Sequence, residues 1–252
     1  MKFLPTSGRS KQRGFSLLEM MVSLVILTLV MAGVFLQLNT AQQRAAAEQP
    51  KVDDLQEVRD FVDQFFRDIN QIGDPNSRMF DTTSGSWSPA LASPLVNDLR
   101  MAVGLVKIDA NEIRFEGSVN GVGTVQTIVY KINGSGTCGQ CMQRSQADKV
   151  TASPLTGQST NWGTEVNDVV TTPIFRYFDT TGTEITALPV DISTVAGAQT
   201  IASVKTVQIN LRVSNPSVVD RQTGAAIQTS FEGEVSLNNC SMASTGFPMS
   251  CN

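Results

Sequence analysis

Few residues in this chain are of types that do chemistry, and they are unevenly placed. Glu19 is the one charge in the 24 residues from Phe15 to Leu38. A carboxylate deep in an apolar helix is costly in lipid, so an ionisable residue there is first of all a functional candidate. Its partner is not local, because the next positive residue downstream is Arg44. Something outside the segment, or created by processing it, must neutralise Glu19. Four cysteines follow: Cys138 and Cys141 in a Cys-x-x-Cys string, then Cys240 and Cys251. They allow three pairings, and proximity in sequence favours Cys138–Cys141 and Cys240–Cys251. A redox site finds no basic residue inside the Cys-x-x-Cys loop and no thioredoxin-like βαβ pattern around it. A four-cysteine zinc site is poorly served by the ten residues between Cys240 and Cys251. A structural disulfide at a hairpin tip is the preferred reading of Cys138 and Cys141.

Catalysis has little to work with. The chain has no histidine, which removes the usual general base and the commonest metal ligand. Gly117 to Gly123 is glycine-rich but leads into a strand pattern, not a helix, so it is no phosphate loop. Asp179 and Glu184 flank a turn where calcium would fit, though solvated turn carboxylates are far commoner. Tyr130, Phe175, Tyr177 and Phe178 are the candidates for stacking on nucleic-acid bases. At strand spacing they divide instead between core and surface, so a nucleic-acid partner is unsupported. The sequence predicts no enzyme, no cofactor and no metal.

The elements that position these groups follow from periodicity. Residues 15–38 form an apolar run of roughly 36 Å as a helix, enough to cross a bilayer's hydrocarbon core. The preceding residues 1–14 carry Lys2, Arg9, Lys11 and Arg13 and no acid. Positive charge on the short flank keeps that side in the cytoplasm and sends the bulk of the chain across. Residues 39–73 continue the helix, with a kink expected at Pro50. Leu55, Val58, Val62, Phe65, Ile69 and Ile72 recur at spacings of 3 and 4 among charged neighbours, which is one buried stripe. Gly73-Asp74-Pro75 stops the helix.

Residues 74–252 read as a globular head. The stretch to about Met101 is loop-like, with a short helix expected near Leu95–Leu99 and Trp87 as an anchor. Strands are predicted at 103–108, 112–116, 125–132, 174–178, 184–187, 205–213 and 227–237. Within 205–213, Val207, Ile209, Leu211 and Val213 share one face, while Gln208, Asn210 and Arg212 share the other. Antiparallel strands laid on one amphipathic helix make an α+β fold. The chain has 19 basic and 23 acidic residues; without residues 1–14 the balance is 15 against 23, a formal −8. An acidic body argues against a general phosphate-binding surface.

Arg13-Gly14-Phe15-Ser16-Leu17-Leu18-Glu19, behind a basic leader and before an apolar run, resembles the class III signal of the type IV pilin superfamily. The resemblance implies cleavage by prepilin peptidase between Gly14 and Phe15, and N-methylation of Phe15. It makes Glu19 the carboxylate that pairs with the N-terminal amine of a neighbouring subunit. The physics concurs, since cutting before Phe15 creates the ammonium that Glu19 lacks. Phe65-Phe66-Arg67-Asp68-Ile69, Pro173 to Asp179 and the terminal Val235-Ser236-Leu237-Asn238 are similar to PilW-type minor pilins and GspJ-type pseudopilins. Those families often have arginine where this chain has Asn238 and Asn239. A Cys240–Cys251 bridge resembles the C-terminal disulfide loop of many pilins, in an oxidising compartment where disulfides persist.

The expectation is therefore a minor pilin-like structural subunit, acting in pilus assembly or initiation or at the tip, in adhesion, motility or DNA uptake. It would sit in the bacterial inner membrane with a periplasmic head, then in a pilus at the cell surface. Its partners would be other pilins or pseudopilins through the N-terminal helix. The alternatives are a type II secretion pseudopilin and a non-polymerising membrane-anchored binding protein, the latter having no need of Glu19. A plain signal-anchor and a secretory signal peptide fit less well, because the apolar run is long and lacks an Ala-x-Ala close.

Overall fold

The computed structural model describes residues 16–75, 97–121, 123–134, 139–151, 153–156, 161–170, 173–219, 224–238, 241–242 and 249–250. The chain divides into two compact units, Met1–Gln49 and Pro50–Asn252. One helix, α1 (Leu17–Asn70), supplies the first unit's described residues and enters the second.

In the second unit α1 carries a buried row of Val58, Phe61, Val62, Phe65 and Ile69. Leu55, predicted to belong to this row, is instead 44% exposed. Phe61 takes its place, because positions 58, 61 and 65 lie on one flank of the same face. The helix ends at Asn70, two residues short of the predicted Ile72. Gln71 and Ile72 donate back to Asp68 and Ile69 in a tighter turn, and Gly73 follows at φ 72°. Ile72 then bridges Gly117 on the neighbouring sheet. Only glycine fits there, since a Cβ on Gly117 would lie 2.2 Å from the Gln71 carbonyl oxygen.

Two antiparallel sheets share the core. The larger contains β1 (Leu105–Ile108), β2 (Glu112–Gly117), β3 (Gln126–Asn133), β4 (Cys141–Asp148), β5 (Trp162–Val166) and, further along, β7 (Val190–Asp191), in the order β5-β4-β3-β2-β1-β7. The smaller contains β6 (Phe175–Asp179), β8 (Val204–Val219) and β9 (Ala226–Ser236), in the order β6-β8-β9. A small helix, α2 (Val195–Ser203), precedes β8 and is capped by the Thr194 hydroxyl, which accepts from Gly197 N. β10 (Ser241–Met242) pairs with β11 (Met249–Ser250). The fold is α+β, as the sequence pattern implies.

Phe65 of α1 holds the two sheets together. Its ring lies 5.3 Å from Tyr130 of β3, edge-on, and 5.6 Å from Phe175 of β6, stacked. Such aromatic pairs add about 0.5–1.5 kcal/mol each beyond the area they bury. On β8 the predicted alternation is observed: Val207, Ile209, Leu211 and Val213 are buried, while Gln208, Asn210 and Arg212 are not. β1, β2 and β3 fall within two residues of their predicted limits.

Several elements depart from the sequence reading. The strand pattern does not predict β4, β5 or the two-residue strands β7, β10 and β11, and no helix is expected at α2. The predicted return strand 184–187 makes one bridge, Phe178↔Glu184, and one bond from Ile185 N to Tyr177 O. It then meets Pro189, which has no N–H to continue a ladder. Trp87 and residues 95–96 of the expected helix at 95–99 lie outside the described residues; residues 97–99 are described and form no α-helix.

Candidate assembly site

Within the first unit, α1 begins at Leu17. The Ser16 carbonyl accepts from Glu19 N (3.0 Å) and Met20 N (3.1 Å). The stretch Leu17–Gln42 is long and apolar enough to cross a membrane, and none of it is buried. Its length is about 39 Å, against roughly 30 Å of bilayer hydrocarbon. Its hydroxyls are spent on its own backbone. Ser23 Oγ donates to Glu19 O (2.8 Å), Thr28 Oγ1 to Val25 O (2.8 Å) and Thr40 Oγ1 to Leu36 O (2.9 Å). A helix that satisfies its polar groups internally is what a hydrocarbon environment requires.

Glu19 is the exception. It sits exposed in the first turn, and among the described residues its carboxylate has no charged partner. The surface around it is aliphatic: Leu17, Leu18, Met20 and Met21 are all more than half exposed. The prokaryotic N-terminal methylation motif matches residues 9–35, which include this turn. The chain carries a type IV pilin-like prepilin signal. That signal marks a type IV pilin or pseudopilin-like protein, a structural class processed by prepilin peptidase and assembled with other pilins. With the apolar helix beside it, the prepilin signal fits a membrane-anchored, single-pass protein. Neither a curated protein nor a solved structure matches the chain.

Gly14 and Phe15 lie outside the described residues. So do Cys138, Cys240 and Cys251. Cys141 opens β4, is fully buried and is disulfide-bonded; its partner lies outside the described residues.

The aromatic candidates for base stacking are not available for it. Tyr130, Phe175 and Tyr177 are fully buried, because their strands turn those positions towards α1. Phe178 is half-buried, with the Arg176 guanidinium 5.5 Å from its ring. Asp179 and Glu184 are each engaged within the chain. Asp179 Oδ1 accepts from Thr181 Oγ1 (2.7 Å), Thr181 N (2.8 Å) and Thr183 N (2.9 Å). Those bonds, led by the Thr181 hydroxyl, hold its carboxyl below the usual range. Glu184 pairs with Arg176, whose Nε donates to Oε1 at 2.8 Å, and this contact lowers the glutamate likewise. Among the described residues no group of three or more acidic, cysteine or histidine side chains is placed to hold a metal.

Two buried polar networks went unseen in the sequence, and both tie the second unit together. Asp68 of α1, 2% exposed, accepts on Oδ2 from Tyr130 Oη (2.7 Å), Arg144 Nε (2.8 Å) and Arg144 Nη2 (2.7 Å). Its Oδ1 accepts from Gln64 Nε2 (2.6 Å). Burial, then the Asp68 charge, pushes the Tyr130 hydroxyl far above its ordinary pKa, so it stays a donor. Asp68 lies at the 3,4 spacing from Phe61 and Phe65, so the buried-face pattern already contained it. The second network joins β2 to the end of β4. Glu116 Oε2 accepts from Lys149 Nζ (2.8 Å) and Val103 N (3.0 Å), while Lys149 Nζ also donates to Met101 O (2.9 Å). Neither charged side chain reaches solvent. No sequence period announces this pair, because Lys149 lies beyond the end of its strand.

Proposed function

We propose that this chain is a minor pilin-like subunit of a type IV pilus, inserted in the inner membrane, processed by removal of residues 1–14, and then incorporated into the filament through residues 15–38. The observation that carries the reading is Glu19: a lone carboxylate on an exposed apolar helix, one turn inside a prepilin signal. Cleavage between Gly14 and Phe15 leaves Phe15 as the N-methylated terminus, and its ammonium becomes the available counter-charge. Within one helix the amine and Glu19 are about one turn apart, with the amine at the end. Between staggered subunits the amine of an incoming helix reaches the acid of one already docked. Low dielectric strengthens that pairing, although desolvation offsets much of it.

The basic leader places the second unit in the periplasm. There, Cys138–Cys141 and Cys240–Cys251 form disulfides, the first at the β3–β4 hairpin tip. A minor role, in initiation or at the tip, accords with a large and loop-rich head. A type II secretion pseudopilin would use the same signal in the same way, whereas a non-polymerising anchor would not use Glu19 at all.

The test is recruitment. Glu19→Ala eases membrane insertion, leaves cleavage at Gly14 largely intact and impairs entry into filaments; Glu19→Gln is intermediate at best. The readout is each variant's amount in sheared filaments, normalised to its membrane pool. Wild-type recruitment of Glu19→Ala would remove the carboxylate from assembly and favour a tip subunit that docks onto nothing above it; absence of the wild type from filaments as well would favour the non-polymerising anchor.

A further inference from the structure

The three-stranded sheet ends in β9, and β8 is its one neighbour in the sheet. The bond from Leu237 N to Lys205 O, with the pairing register, fixes which backbone groups β9 uses. Odd-numbered residues bond to β8. Gln228, Ser230, Glu232, Glu234 and Ser236 therefore turn their N–H and C=O groups outward. Among the described residues nothing pairs with them.

Natural sheets blunt such edges with short strands, lysine, proline or bulges. The larger sheet follows this rule: β7 has two residues, and β5 has five with an irregular register to β4. β9 does not. It is 11 residues long, contains no proline, lysine or arginine, and keeps its register with β8 without a break from Ile227 to Ser236. The open row, from Gln228 to Ser236, is about 30 Å long.

The two faces of this edge differ. On the inner face Phe231, Val235 and Phe66 of α1 are only partly buried, although they pack on the core. Gly233 keeps that face low: a Cβ there would lie 2.6 Å from Phe66 Cζ and 2.9 Å from Phe231 Cε1. On the outer face Glu232 and Glu234 are exposed. Resting on the pilin-like reading above, we infer that β9 is the docking edge for an extended segment of a different pilin-like subunit. That segment adds as a fourth strand. Its inward residues are apolar and cover Phe66, Phe231 and Val235; its outward residues are lysine or arginine opposite Glu232 and Glu234. A second copy of β9 is a poor occupant, because it brings the same two glutamates and no cation.

The experiment uses the full-length protein in the cells that make it. A photoreactive benzoylphenylalanine replaces Ser230, or Ser236, or as a control the exposed turn residue Thr180. After irradiation, adducts in the sheared-filament fraction are mapped by mass spectrometry. The expected adduct forms at Ser230 and Ser236 and not at Thr180. It joins a peptide in which apolar and basic residues alternate, from a protein with its own prepilin signal. Glu232→Pro removes an outward N–H without touching the ladder to β8. It lowers the adduct about tenfold, the scale of one lost backbone hydrogen bond and a clash. Because a proline can also disturb folding, Glu232→Lys combined with Glu234→Lys is the second variant and lowers the adduct severalfold. Equal adducts at Thr180, an adduct to a second copy, or no adduct from protein present in the sheared fraction would overturn the inference and leave the filament reading standing. Absence of the protein from the sheared fraction would overturn both.

Discussion

Two stretches of α1 both carry large aliphatic and aromatic side chains and are opposite in burial. In the first, Leu24 is 58% exposed and Phe35 66%; in the second, Phe65 is 0% exposed and Ile69 1%. The difference lies in what surrounds the apolar residues in sequence. Around Phe65 and Ile69 most positions off the buried row are polar or charged, so one face is largely apolar and the sheets of the same unit cover it. Between Leu17 and Leu38 only Glu19 is charged, so the helix is apolar all round. Among the described residues nothing buries this stretch, which is what a helix covered by lipid or by other helices requires. Cover from within gives a head, and cover from without gives an anchor and an assembly surface.

That contrast is open to attack. The largest effect falls on the buried pair of the second unit. Lys149→Met leaves Glu116 without its cation and costs about 3–5 kcal/mol at neutral pH, read as a lowered Tm. Burial is the largest influence on Glu116 and already pushes its carboxyl above the ordinary 4.5. Without Lys149 the folded-state pKa rises further. A raised folded pKa gives stability that is present below the unfolded value and lost as pH rises through the folded one. The variant is therefore closer to wild type at low pH than at neutral pH. A deficit that grows on acidification would contradict the assignment.

Next in size is a matched pair of truncations on α1. Ile69→Ala costs about 2–5 kcal/mol, a transfer loss plus a cavity. Leu27→Ala changes the unfolding of the second unit by less than about 0.5 kcal/mol, because Leu27 is half exposed and belongs to the first unit. Comparable losses from both, in detergent, would mean that the two stretches are not covered differently. The smallest effect belongs to Asp179→Asn, which loses part of the turn network and slightly lowers the Tm. Asp179's folded pKa lies below 3.8, so its contribution is present above that value and fades as pH falls through the lower one. The wild-type and Asp179→Asn melting curves should converge under strong acid.

The same contrast explains what the sequence could tell. The anchor was legible because a transmembrane helix needs little beyond length, apolarity and internal satisfaction, and these are local. The buried row from Val58 to Ile69 and the alternation on β8 were legible for a similar reason, since period reports burial. β4 was not. Its sequence, Cys141 to Asp148, is mostly polar, yet it lies inside the larger sheet because Arg144 finds Asp68 and Tyr130 there. A strand whose burial is bought by a distant carboxylate carries no hydrophobic period of its own. Leu55 fails in the opposite sense: its spacing fits the row, but the row begins at Val58.

The central claim is that residues 13–19 are a processed assembly signal and not merely the start of an anchor. Mass spectrometry of the protein recovered from membranes tests it most directly. The account predicts a mature N-terminus at Phe15 bearing one added methyl group, and uncut precursor when Gly14 is replaced by a bulky residue. An intact leader, still attached at Gly14 in the mature protein, would contradict it.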